Sequence, residues 1–178
     1  MKEKNIFIKK LVYSAMFLAM AIVFPFVTGQ LQSFGAMLCP MHVPVLLCGF
    51  ICGARYGAAV GATAPLLRFT LFGMPKLLSA IPMSFELCLY GLCAGLLYKL
   101  FPKKMIYTYV SLVLAMLAGR AVWGAVSAVI AGLNETAFGL EAFWLGAFAG
   151  SVPGIVLQII LVPVIVLALK RAKLMLNE

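Results

Sequence analysis

The stretch that decides the fold is IYTYVSLVLAMLAGRAVWGAVSAVIAG, residues 106–132, in which Arg120 is the one charged side chain. The hydrocarbon core of a bilayer is about 30 Å thick and an α-helix rises about 1.5 Å per residue, so about 20 apolar residues cross it. The stretch therefore predicts a membrane-spanning helix. The whole chain resembles it, because 65% of its 178 residues are apolar and 11% are charged, which excludes a water-soluble globular protein.

Glycine, proline and charged residues divide the rest of the chain into further apolar segments. The predicted spans are residues 11–28, 41–54, 56–73, 79–99, 106–132 and 141–169, of which the second is short and the last two are long. These spans leave no room for a separate soluble domain. We therefore predict an all-α integral membrane protein, in which residues 1–178 form a single compact bundle of six transmembrane helices.

Basic residues set the predicted orientation, because cytoplasmic loops of membrane proteins are enriched in Lys and Arg. With six spans, both termini lie on one side of the membrane, and that side carries eleven basic residues whereas the opposite loops carry only Lys76. Both termini are therefore predicted to be cytoplasmic. The outward loops are longer and contain Gln32 and Asn134, whose amides suit a polar small molecule, although solvation of a loop explains them equally well.

Three ionisable residues fall inside predicted spans, where a charge is costly and normally faces a partner or a cavity. Arg68 and Glu86 both lie about 7–10 Å from the outer ends of their helices, so they could form a structural ion pair or contact a substrate. Arg120 lies deeper, with Trp123 one turn further along, and no other acidic residue lies at its depth. If Glu86 pairs with Arg68, Arg120 binds an anionic substrate or hydrogen-bonds to backbone carbonyls or Gln158.

Catalytic and metal-binding motifs are not found in the sequence. There is no Asp, five cysteines form no C-x-x-C motif, and His42 is the only histidine, placed where an interfacial or a ligand-binding role is possible. We therefore expect no enzyme activity, no cofactor and no metal. Uphill transport would need an ion gradient or another subunit, and a stand-alone secondary transporter is therefore one alternative hypothesis. A separate alternative is an intramembrane enzyme that uses Glu86 and His42.

Small residues recur four positions apart on several predicted helices, a pattern that lets helices approach closely in lipid. We expect the glycine pairs of the third and fourth spans to pack inside the bundle. Ala15 and Ala19 in the first span have the same spacing and could instead face a partner helix.

Several segments, in order along nearly the whole chain, resemble the substrate-binding S components of energy-coupling factor (ECF) vitamin transporters. Residues 41–53, continuing through Tyr56-Gly57 to Pro65, resemble the second and third helices of that family. Further similar segments are Phe85-Glu86-Leu87 with Tyr90, Gly119-Arg120 with Trp123, and Pro153-Gly154 with Gln158.

The resemblance implies a multi-pass protein of the prokaryotic cytoplasmic membrane that captures a vitamin or related micronutrient under its outward loops. It also implies docking, through Ala15 and Ala19, on a transmembrane scaffold subunit that carries two ATPases. The segments look most like the pantothenate-type branch, whose substrate has a carboxylate that could pair with Arg120. Branches for vitamin B6 compounds or hydroxymethylpyrimidine remain alternatives, since their rings would suit Trp123, Trp144 or Tyr90.

Overall fold

The structure is a computed structural model, and it describes residues 2–28, 37–133 and 139–177. Helices make up nearly all of this part of the chain. The order of elements is α1 (Lys2–Thr28), α2 (His42–Cys52), α3 (Ala54–Phe72), α4 (Leu77–Leu100), α5 (Met105–Leu133), α6 (Leu140–Ala147), a 3-10 turn (Ala149–Ser151) and α7 (Val152–Arg171).

Among the described residues, four segments are long and apolar enough to cross a membrane, judged by length and composition. They are Asn5–Val27, Leu77–Leu100, Met105–Leu133 and Phe143–Arg171. The first helix begins at Lys2, before residue 11, where the first span was predicted to begin. The basic N-terminal residues are therefore part of the helix.

The predicted span at 141–169 matches the candidate span Phe143–Arg171, and a 3-10 turn interrupts the helix within it. The cause lies in the sequence around Gly150 and Pro153. Proline lacks an N–H and its ring clashes with the preceding turn inside a helix, but both features are tolerated in the first turn, where Pro153 begins α7.

The short helix α2 forms the centre of the fold. All eleven of its residues are buried, and it packs against α1, α3, α4 and α7. It rises about 16 Å, less than the about 30 Å of the hydrocarbon core. The chain leaves α2 at Gly53, whose φ of 104° is accessible mainly to glycine, and turns directly into α3.

Glycines hold α2, α3 and α4 together, which confirms the packing predicted from their spacing. A Cβ atom on Gly61 would overlap the backbone carbonyl of Leu87, and one on Gly91 would overlap the backbone of Gly57. Only a hydrogen atom fits between these helices. The close approach brings the buried face of α4, including Glu86, against the beginning of α2.

Candidate functional site

A buried ionic cluster joins the beginning of α2 to the middle parts of α4 and α5. The Glu86 Oε1 atom lies 3.2 Å from Arg120 Nη1 and 3.5 Å from His42 Nε2. Glu86 and His42 are each 2% exposed and Arg120 is 5% exposed. One carboxylate therefore faces both a guanidinium and an imidazole, out of contact with solvent.

The local sequence explains how the two charged helices come so close. Gly119 precedes Arg120, and a Cβ atom there would overlap the Tyr90 ring and lie 3.0 Å from the Glu86 carbonyl oxygen. The absence of a side chain on Gly119 thus lets α5 lie directly on the Glu86 turn of α4. His42 is fixed by its position at the beginning of α2, where its backbone N–H donates to the Cys39 carbonyl at 3.0 Å.

Tyr90 completes the wall of the cluster, one helical turn after Glu86 on the same face of α4. Its side chain is fully buried, and its ring meets the His42 ring edge to face with centroids 5.3 Å apart. Such an arrangement is favourable for two aromatic rings and holds the imidazole against the carboxylate.

Cys39 belongs to the same site and was missed by the sequence analysis, which found no motif among the cysteines. Its thiol is within hydrogen-bonding reach of Arg120, and its φ of 46° places it in a tight turn just before α2. Burial raises the pKa of this thiol, and the nearby guanidinium opposes the rise. In the sequence, Cys39 lies three residues before His42, in the segment Cys39-Pro40-Met41-His42. This proximity to a candidate residue was the signal that could have identified Cys39.

Gln158 lies on α7, fully buried. Neither its amide nitrogen nor its amide oxygen has a hydrogen-bond partner among the described residues, so the alternative in which it binds Arg120 is wrong. Gly154, one turn earlier, packs against the carbonyls of Met37 and Leu38 and brings α7 close to the turn that carries Cys39.

Of the two alternatives for Arg68 and Glu86, the structural ion pair between them is wrong. Arg68 Nη1 instead donates a hydrogen bond of 2.7 Å to the Ile22 carbonyl on α1, and the guanidinium lies 4.8 Å from the centre of the Phe26 ring. Arg68 therefore ties α3 to α1. Glu86 is free to pair with Arg120, which overturns the argument that Arg120 lacks a carboxylate.

The aromatic candidates on α5 and α6 form a separate group. Trp123 packs over Gly146, with its ring 6.5 Å from that of Phe143, while Trp144 is 57% exposed and lies 4.9 Å from the Phe148 ring. Trp123 is one turn from Arg120 and thus links this group to the ionic cluster. Gln32 and Asn134, also predicted as site residues, lie outside the described residues.

Comparison with known proteins shows to which family the chain belongs. The sequence model of one family, the ECF transporter substrate-specific component, matches residues 9–166. The chain belongs to this family. No curated protein and no solved structure matches the chain.

Membership agrees with the apolar helices and makes this chain a transporter component rather than a member of an enzyme family. An ECF substrate-specific component works with scaffold and ATPase subunits and takes up a small molecule. On α1, Ala15 and Ala19 are exposed among large apolar side chains such as Val12 and Val23.

Proposed function

We propose that this chain captures a vitamin or related micronutrient from outside the cell as the S component of an ECF-type ABC importer, and that the His42–Glu86–Arg120 cluster binds the substrate. The observation that carries the binding site is a set of buried polar atoms that the described residues do not satisfy. Arg120 Nη2 and both polar atoms of the Gln158 amide have no hydrogen-bond partner there.

Buried polar groups of folded proteins are almost always hydrogen-bonded, and each unsatisfied one costs about 1–3 kcal/mol. A ligand that brings acceptors to Arg120 Nη2 and complementary groups to Gln158 would recover this energy. Because Glu86 holds Arg120 and the rings of His42 and Tyr90 pack against each other, the side chains would be positioned before the ligand arrives, which favours affinity.

Pantothenate is the substrate we propose to test first. Its carboxylate could accept a charge-assisted hydrogen bond from Arg120 Nη2, while its hydroxyl and amide groups suit Gln158. A specific observation favours the second candidate class, vitamin B6 compounds or hydroxymethylpyrimidine. Glu86 already balances the charge of Arg120, so the ligand need not be an anion, and the Tyr90 and His42 rings offer contacts to an aromatic ligand.

The substrate is best identified by mass spectrometry of small molecules released from the purified chain, followed by titration calorimetry with the three candidates. The variant Arg120→Lys keeps the positive charge beside Glu86 but loses the planar donor fork, so we expect binding to weaken by about tenfold or more. The matched control is Arg68→Lys, which changes the same residue type away from the cluster and should leave affinity unchanged. Equal affinities for the two variants would refute the site.

The proposed orientation has six spans with both termini in the cytoplasm of a prokaryotic cell, supported by the distribution of basic residues. In this orientation the basic residues on the side of the two termini are Lys2, Lys4, Lys9, Lys10, Arg55, Lys99, Lys103, Lys104, Lys170, Arg171 and Lys173.

We also propose that Ala15 and Ala19 contact the scaffold subunit, which carries the two ATPases. Two exposed small residues one turn apart leave a shallow groove that a partner helix can enter. Ala15→Trp should abolish uptake and copurification with the scaffold while leaving substrate affinity within about threefold of the unmodified chain, because the side chain points away from the bundle.

The control for this variant is Ile160→Trp, since Ile160 is 61% exposed on α7 and should tolerate tryptophan. Loss of substrate binding by Ala15→Trp would contradict the interface. Substrate uptake by the chain in cells without any scaffold subunit would instead support a stand-alone secondary transporter.

A further inference from the structure

A cavity lies at the end of α2 opposite His42. It has a volume of about 560 Å³ and is formed where α1, the α2–α3 turn and the last turns of α4 meet. The C-terminal segment closes one side, because the Leu176 N–H donates to the Ile51 carbonyl at 3.0 Å and Asn177 Nδ2 donates to the Gly95 carbonyl at 3.1 Å. Cavities of about 300–1,000 Å³ are typical of ligand sites.

Three cationic side chains line this cavity: Lys10 from α1, Arg55 from α3 and Lys99 from α4. They come from three different helices that the fold brings together. Among the side chains that the structure describes, no carboxylate forms an ion pair with any of the three. Their charges therefore add to one another, and the cavity attracts an anion.

The rim of the cavity is apolar. Ile6 and Phe7 of α1 and Leu96 of α4 line it, and these side chains are 46%, 57% and 45% exposed. A freely soluble anion would gain nothing from these residues. A molecule with a phosphate head and hydrocarbon chains would satisfy both parts, with the phosphate among the three cations and the chains along the exposed apolar side chains.

We propose that this cavity, which we call the basic cleft, binds the headgroup of an anionic phospholipid. The cleft lies among the predicted cytoplasmic basic residues, at the level where lipid phosphates meet the ends of spanning helices. An acidic segment of a partner protein would match the charges but not the apolar rim, so the lipid is favoured. The proposal rests on the chain being embedded in a membrane and is independent of its substrate.

The test is native mass spectrometry of the full chain in detergent, titrated with dioleoylphosphatidylglycerol or with dioleoylphosphatidylcholine. We expect the anionic lipid to saturate at one molecule per chain with at least about tenfold higher affinity than the zwitterionic lipid. The triple variant Lys10→Gln/Arg55→Gln/Lys99→Gln should lose this preference. The matched control is Lys104→Gln, because Lys104 is an exposed lysine at the same end of α4 that does not line the cleft.

The three substitutions remove no side-chain hydrogen bond or ion pair of the described fold, and an unchanged thermal unfolding midpoint would verify that the triple variant folds. Equal binding of the two lipids, or unchanged preference in the triple variant, would overturn the proposal. Displacement of the lipid by millimolar inorganic phosphate would reassign the cleft to a soluble anion. Unchanged lipid binding with lost scaffold copurification would reassign it to a protein partner.

Discussion

Replacing Arg120 by glutamine removes the cation that faces Glu86 inside the bundle. Both side chains are nearly inaccessible to solvent and their charged atoms are 3.2 Å apart. Loss of one partner of a buried ion pair leaves the other charge uncompensated, at a cost of about 3–5 kcal/mol of unfolding free energy. We therefore expect Arg120→Gln to be among the most destabilising single substitutions in the chain.

The second substitution, Glu86→Gln in the same background, removes the charge that was left unpaired. The double variant places two neutral amides next to each other, so it should regain at least about 2 kcal/mol of the loss, which is a coupling energy typical of contacting residues. Arg68→Gln serves as the control. The Arg68 variant loses one charge-assisted hydrogen bond to a backbone carbonyl, worth about 1.5–3 kcal/mol, and Glu86→Gln should not compensate for it.

The assay is unfolding by sodium dodecyl sulfate in mixed micelles, at one fixed pH for all variants. Four proteins form the cycle: the unmodified chain, the two single variants and the double variant. Coupling below about 0.5 kcal/mol would show that the two residues act independently and would refute the ion pair. If the double variant folds but does not bind substrate, the cluster has a role in binding that stability does not explain.

Further predictions concern packing, α1 and orientation. Gly61→Ala should destabilise the chain by about 1–3 kcal/mol or more, because its Cβ overlaps a backbone carbonyl, whereas Gly132→Ala, with no described atom within 4 Å, should be neutral in the same unfolding assay. Arg68→Met should loosen α1 and speed hydrogen exchange of its C-terminal half, and protection equal to that of the unmodified chain would contradict the contact. A reporter active only outside the cytosol should be silent when fused after Lys103 and active when inserted near Asn134; the reverse pattern would exclude the proposed orientation.

The helices and their glycine contacts could be predicted from the sequence because both depend on local composition. Apolar runs mark the helices, and glycines four residues apart mark faces that can approach closely. Gly57 and Gly91 are in contact as this spacing indicates. The turn at Gly53 also falls within two residues of the predicted boundary between the second and third spans.

The partner of Glu86 could not be predicted by counting residues from helix ends. By that count Glu86 lies about 14 Å from the beginning of α4 and Arg120 about 20 Å from the end of α5, so the two residues appear to lie at different depths. A long arginine side chain bridges such a difference. Which carboxylate the arginine reaches depends on how each helix is rotated about its own axis. Contacts such as that of Gly119 with Tyr90 set this rotation.

The burial of α2 explains why polar residues occupy the centre of so apolar a protein. A helix of eleven residues is shorter than the thickness of a bilayer, and its first residue, His42, meets α4 at Glu86 inside the fold. An apolar cluster at this position would be as stable as the ion pair or more so, since buried ion pairs rarely improve on well-packed hydrophobic residues. Stability therefore does not account for three ionisable side chains here, and the substrate binding that we propose would account for them, because fixed donors in surroundings of low dielectric interact strongly with polar groups.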